Sequence, residues 1–387
     1  MAWIDDFSYL LTPLDLSEEY PSDYCLGKYI DIHTEESFPD LENVDVVIVG
    51  VSESRRSKNQ DVNRAPDRIR ERLFRLYHHG REIKLADVGN ILPGEYPHDT
   101  DAGVKTVVKS LLDKNIAVLI LGGSQELTFA NYSAYEILET TVNLAVIDAA
   151  VDLGEFRDDL SPANFLSKIV LHDPSYLFNL SVLGYQTYLN DPDSLKLMEK
   201  LFFDAHRLGQ LKSDIKSTEP LLRNADIISF DVNAISSGYS PSSLNPNGFS
   251  GDQICQLARY AGMSDKASSI GFYNYSPNLD DKAITAELLA QMVWCTIDGL
   301  SYRQKEYPLI NKNNFVEFKV HMPDNQEEIV FYKSQRTDKW WMKVPYAGGA
   351  DGNLGRHHLV PCNYSEYEQA TQGELPDMWW KTFQKLG

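Results

Sequence analysis

The stretch Leu144-Ala145-Val146-Ile147-Asp148-Ala149-Ala150-Val151-Asp152 decides how this chain is read. Its first four residues are apolar and uncharged, as expected for a strand covered on both faces. Two carboxylates, four positions apart, follow directly. At the mouth of a parallel sheet they would suit a hard cation such as Mg, Ca or Mn. As an N-cap and a loop turn they would need no ligand at all.

Working outward, similar apolar, β-branched runs recur at residues 44–51, 83–88, 116–121, 180–184, 227–232 and 269–273. Helical patterns lie between them, at 66–76, 104–112, 125–139, 193–206, 251–261 and 283–300. Pro66 stands where a first helical turn tolerates proline. Strands alternating with helices predict βαβ units and a mostly parallel sheet. Ligands on such sheets bind beyond the carboxyl ends of the strands. Two more strand ends therefore matter. Gly122-Gly123-Ser124-Gln125-Glu126 follows the run at 116–121, and its glycines allow a tight turn. Asp231-Val232-Asn233 ends the run at 227–232, and strand alternation points positions 231 and 233 the same way. Asp204-Ala205-His206 pairs an acid with a histidine, but closes the helical run 195–203 and reads as a solvated helix-end charge group.

The 387 residues carry 36 Lys and Arg against 56 Asp and Glu, a formal net charge of −20. That balance disfavours nucleic acid or an anionic membrane as a partner. Hydrophobic residues make up 43% and charged residues 24%, enough for a sizeable core. Cys25, Cys255, Cys295 and Cys362 have no paired spacing and read as reduced thiols. The first residues lack a basic and then apolar signal pattern, and no stretch approaches the ~18 apolar residues of a membrane span. A cytoplasmic protein is expected. Beyond residue 301 the apolar runs thin, and Trp340, Trp341, Trp379 and Trp380 appear. The expected organisation is a lead-in over 1–43, an α/β domain over 44–305 and a small β-containing appendage over 306–387.

Taken together, the strand-end motifs resemble those of the ureohydrolase family (arginase, agmatinase, formimidoylglutamase) over about residues 44 to 300. That family follows one strand with Gly-Gly-x-His, another with Asp-x-His-x-Asp and a third with Ser-Phe-Asp-x-Asp. Further matches are Gly50 with Ala65-Pro66-Asp67 and Ile69-Arg70, then Asp87-Val88-Gly89-Asn90, Ser276-Pro277-Asn278-Leu279-Asp280 and Thr285-Ala286. The resemblance implies a three-layer α/β/α fold with a mostly parallel central sheet of about eight strands. It also implies two manganese ions held by four Asp and two His, and a homo-oligomer, trimer or hexamer.

The departures are concentrated at those ligands. By resemblance the ligand positions are Gln125, Asp148, Ala150, Asp152, Asp231 and Asn233. Both histidines and one carboxylate are replaced. The family's substrate-binding Glu falls on Asn274, and its shuttling His has no match; His172 is the nearest histidine. The expectation is a family member without dimanganese hydrolase activity, acting in binding, regulation or assembly on an unknown small molecule or protein. At most one divalent cation (Mg, Ca or Mn) would sit on Gln125, Asp148, Asp152 and Asp231. The alternative is an active hydrolase of linear amidines or guanidines, with formimidoylglutamate the leading substrate by resemblance. A further alternative is different chemistry in the same pocket, lined by Arg157, Asp158, Asp159, His172, Tyr273 and Asn274.

Overall fold

The computed structural model describes the chain except residues 1–6, 16–19, 79, 156–158, 311, 323–327, 347 and 349–353. Two short strands come first, β1 (Leu11–Thr12) and β2 (Ile30–Ile32). An alternating series follows: β3 (Val46–Val51), α1 (Ala65–Leu73), β4 (Leu85–Ile91), α2 (Pro97–Asp113), β5 (Ala117–Leu121), α3 (Leu127–Ile137), β6 (Val142–Ile147), α4 (Phe165–Val170) and β7 (Leu177–Tyr185). It continues through α5 (Pro192–Lys200), β8 (Asp204–Arg207), α6 (Leu208–Ser213), α7 (Thr218–Arg223), β9 (Ile227–Asp231), α8 (Gly251–Met263), β10 (Ser269–Tyr273) and α9 (Ile284–Leu300).

These strands form one sheet in the order β1-β4-β3-β5-β10-β9-β6-β7-β8, with β2 also paired to β4. From β4 to β8 all pairings are parallel; only β1 runs antiparallel, at the edge. Alternate residues feed two cores. Ile48, Leu119, Ile228 and Ile270 bury against helices on one face, and Val47, Val118, Ile120 and Ile227 on the other. Burial on both faces explains why these strands read as continuous apolar runs. The expected α/β fold with a mostly parallel sheet is what the structure has.

One assignment is corrected. The helix expected over 193–206 stops at Lys200, and Phe202 takes a left-handed conformation (φ 56°) that turns the chain. Asp204-Ala205-His206 then lies in β8, an edge strand beside β7. Asp204 is buried, not solvated: Lys381 Nζ lies 2.9 Å from one oxygen and Asn179 Nδ2 3.2 Å from the other. A four-residue strand of Asp, Ala, His and Arg offers no apolar run by which to recognise it.

The C-terminal part is a four-stranded antiparallel sheet of β11 (Phe315–His321), β12 (Glu328–Ser334), β13 (Trp340–Lys343) and β14 (Leu359–Cys362), followed by α10 (Tyr364–Thr371) and α11 (Asp377–Leu386). Phe331, Trp340, Met342 and Trp379 form its core, while Trp380 is partly exposed. Arg223 of α7 joins it to the larger sheet. The guanidinium donates to the carbonyls of Trp340 (3.1 Å) and Cys362 (3.3 Å) and lies 4.4 Å from the centre of the Trp341 ring.

Candidate functional site

Four neighbouring strands, β5, β10, β9 and β6, end at one rim and deliver one polar group or more each. Gln125 follows β5, Asn274 follows β10, Asp231 ends β9, and Asp148 and Asp152 follow β6. Gly122 and Gly123 make the β5 turn possible, with φ of 84° and 69°. A Cβ on Gly122 would lie 2.4 Å from the Pro66 ring. Asn274 is itself left-handed (φ 64°), a conformation that asparagine tolerates better than most residues.

The Gln125 side-chain amide bridges two of the acids. Its amine end faces Asp148 Oδ2 at 2.9 Å and Asp231 Oδ2 at 2.7 Å, the orientation that satisfies all three groups. Its other end faces Ser229 Oγ, which also bonds Thr128 Oγ1 at 2.9 Å. Asn274 locks the other side. Its Nδ2 donates to Asp231 Oδ2 at 2.5 Å, and its Oδ1 accepts from the Gln125 backbone N–H at 3.1 Å. The remaining oxygens take backbone donors: Ala150 N–H to Asp148 Oδ1 at 3.1 Å, and Asn233 N–H to Asp231 Oδ1 at 2.5 Å.

Asn233 arrives by a route other than strand alternation. β9 stops at Asp231, and residues 232–234 form a single 3-10 turn that folds Asn233 back over Asp231. Asn233 still faces the cavity, but through a turn that Asp231 caps with its own carboxylate.

Burial pushes the Asp231 carboxyl well up, and the Asp148 charge adds to this. Asp148 is likewise raised by burial and then by Asp152, with which it shares a hydrogen bond. Asp152 is pushed up to about 7, again by desolvation and then by the charge of Asp231. Three carboxyls with two amides among them form a site that holds protons near neutral pH.

The rim opens into a cavity of about 680 Å³, within the usual range for small-molecule pockets. Asp148, Ala150, Asp152, Asp231, Asn233 and Asn274 all line it. Of the other expected residues, His172 sits against the Phe129 and Tyr132 rings and lies 3.5 Å from Glu136, away from the cavity wall. Tyr273 is buried in the core behind the rim. Asp159 is exposed, and Arg157 and Asp158 lie outside the described residues.

Several contributors escaped the sequence reading. Arg56, Lys58 and Asn59 line the cavity after β3, a strand end that the carboxyl-end rule already marks. Ser229 supports Gln125 and sits two positions before Asp231, on the same strand face. Tyr188, Leu244 and Asn245 come from long loops and carry no pattern that would single them out.

The donor set does not fit a pair of manganese ions. Ala150 offers no ligand atom, Asn233 is neutral, and N–H groups occupy the inward oxygens of Asp148 and Asp231. Among the described residues no group of three or more His, Cys, Asp or Glu side chains is arranged to hold a metal ion. No helix among them is long and apolar enough to cross a membrane.

A parallel α/β sheet with an acidic pocket across the ends of its central strands is the architecture of the ureohydrolases. Residues 44–298 match the Arginase family, and the chain belongs to it. Its sequence is 23% identical over 260 residues to a formimidoylglutamase of Clostridium tetani, covering 62% of this chain and 76% of that protein. A Staphylococcus aureus formimidoylglutamase is 26% identical over 239 residues, covering 59% of this chain and 76% of its own length. Among solved structures, the fold is similar to formimidoylglutamase from Bacillus subtilis, with a TM-score of 0.66 at 17% identity over 75% of this chain and 97% of that one. It is also similar to the Trypanosoma cruzi formiminoglutamase structure with Mn2+, with a TM-score of 0.62 at 14% identity over 69% of this chain and 97% of that one.

Proposed function

We propose that this arginase-family protein is a binding or regulatory member that does not carry out dimanganese hydrolysis. The observation that carries the reading is the Gln125 amide seated between Asp148 and Asp231. Hydrolysis of an amidine needs hydroxide at neutral pH, and a water bridging two divalent ions supplies it by losing its proton readily. Here the inward carboxylate oxygens are occupied by neutral amide donors, and among the described residues no imidazole stands at the rim.

The pocket nonetheless keeps a shape that suits a small polar ligand. Asp148, Asp152 and Asp231 form its floor, and Arg56 and Lys58 contribute to its wall. A cationic amine or amidine at the floor would draw the raised carboxyls into their ionised form, and Lys58 at the wall suits a carboxylate at the ligand's other end. The relatives' own names, formimidoylglutamases, describe enzymes acting on such a molecule. The reading takes over the ligand class and leaves the turnover behind.

The test measures metal content together with turnover. Purified protein, dialysed with manganese, is assayed for urea, formamide or ammonia release from arginine, agmatine, guanidinobutyrate and formimidoylglutamate. No release, with formimidoylglutamate or a related amino acid raising the melting temperature, is the expected result. Release dependent on manganese, or on a single cation held by Asp148, Asp152 and Asp231, overturns it.

A further inference from the structure

A second cavity, of about 530 Å³, lies at the other end of the sheet. Asn224 precedes β9, and Asp265 and Lys266 precede β10, so its inner wall is made at the amino ends of the strands. Among the described residues, Arg223, Asn224, Asp265 and Lys266 are its only lining residues within the matched span 44–298. The other twelve of the sixteen lie beyond it, in the segment after α9 and in the C-terminal sheet. The cavity therefore exists because the C-terminal unit packs where it does.

Its charge is opposite to that of the chain. Overall the protein carries −20, yet among the described residues five of the seven Asp, Glu, Lys and Arg side chains lining this cavity are basic. The two acids are already engaged. Asp265 accepts the backbone N–H groups of Lys305 (3.0 Å) and Glu306 (3.1 Å). Glu306 accepts the hydroxyls of Ser334 (2.8 Å) and Thr337 (2.6 Å).

Four of the cations share two further carboxylates. Lys266 and Arg356 both turn to Asp226, at 3.5 and 2.5 Å. Arg223 and Lys339 both turn to Glu219, at 2.9 and 3.7 Å. Hydrogen bonds from neutral N–H and O–H groups leave Asp265 and Glu306 charged, so with Asp226 and Glu219 four carboxylates face the five cations, one positive charge over. Withdrawn from water, an excess cation is costly unless an anion joins it. Burial bears this out: it pulls the Lys266 ammonium down to about 8 and lowers Lys339 as well.

The rest of the lining is apolar and partly aromatic. Tyr307, Leu309 and Trp341 form a wall, and Ile310 stands exposed at the mouth. An aromatic wall with cations beside it selects a flat apolar body that carries an acidic group.

We propose that this cavity binds a small organic anion, with its carboxylate or phosphate between Lys266, Arg356 and Lys339 and its flat body against Trp341 and Tyr307. The site is independent of the acidic pocket and of whether that pocket is catalytic.

Calorimetric titration of the full chain tests this with adenosine monophosphate, naphthoate, adenosine and inorganic phosphate. Either aromatic anion is expected to bind one per chain. Adenosine and inorganic phosphate should each bind at least tenfold more weakly, since each supplies only half of the match. The variants I310D and K266M should each weaken the anion at least tenfold. Ile310 is exposed, so I310D keeps the test decisive where K266M fails to fold. No binding by either aromatic anion overturns the proposal, as does adenosine binding equally well or affinity unchanged in I310D.

Discussion

Gln125 reaches to 2.7 Å from Asp231 Oδ2, across the gap between β5 and β9 that β10 separates in the sheet. One amide thereby connects two strand ends and carries two N–H bonds onto two buried acids. Gln125→Leu keeps much of the volume but removes both donors. Unsatisfied buried carboxyls make such a change cost about 2–4 kcal/mol. Urea denaturation at neutral pH measures it, and a midpoint equal to that of the parent would show that the amide does not hold the acids.

Restoring the missing ligand types tests the metal argument from the other direction. The combined variant Gln125→His, Ala150→His and Asn233→Asp supplies two imidazoles and a carboxylate at the rim. After dialysis in manganese and then in buffer, it should retain more manganese per chain than the parent. Elemental analysis decides this, and equal metal content in the two proteins would count against the proposed loss.

The pH dependence of stability follows from the raised carboxyls. Asp152 titrates near 7 in the folded chain, against an ordinary value of 3.8. Between those values this group binds more protons in the folded state than in the unfolded one, so its contribution to stability is greatest at the acid end and declines as pH rises toward 7. Glu126, raised to about 7 by burial, acts with the same sign. Buried His357 and His206, whose protonation burial disfavours, act with the opposite sign, so the variant isolates the acid: in denaturation midpoints from pH 5 to 7.5 the parent should lose stability relative to Asp152→Asn. A difference between the two proteins that does not change with pH is the outcome that sinks this prediction.

Arg70 of α1 and Asp87 of β4 form a buried pair. Arg70 Nε lies 2.8 Å from Asp87 Oδ2 and its Nη2 lies 2.9 Å from Oδ1, while Asn90 Oδ1 receives Nη1 at 2.5 Å. Removing one partner strands the other charge, so Arg70→Met should destabilise by about 3–5 kcal/mol. Replacing both, in Arg70→Met with Asp87→Leu, should recover a large part of that. Thermal or urea unfolding of the two variants compares them directly.

The Gly122 turn leaves no room for a side chain. Gly122→Ala meets both a φ of 84° and the Pro66 ring, so at least about 2 kcal/mol should be lost. Because the same turn carries Gln125 to the acids, ligand-induced stabilisation at the acidic pocket should fall as well. A variant as stable as the parent would mean that the turn rebuilds itself.

Some of the site was legible before folding was considered. The carboxyl-end rule found Asp148, Asp152 and Asp231 because apolar runs identify parallel strands, and loops after them are where such sheets bind ligands; Gln125 was marked only by the resemblance to the ureohydrolases. The same rule marked the segment after β3, where Arg56 and Lys58 went unread. Position 233 was reached for the wrong reason, because a strand end cannot be separated from a capped 3-10 turn by apolar pattern alone.

The sequence by itself determined the alternating architecture and the surplus of acid, since each depends on local periodicity or residue type; the altered ligand positions came from its resemblance to the ureohydrolases. The tertiary structure alone decided the strand order β5-β10-β9-β6, which brings positions 125, 274, 231 and 148 into hydrogen-bonding reach. It alone placed Cys255 beside Cys295 and two cations on each of Asp226 and Glu219. The physical reason is that contacts between residues far apart in the chain follow from how strands are ordered and helices packed. No pattern within a single segment encodes that order.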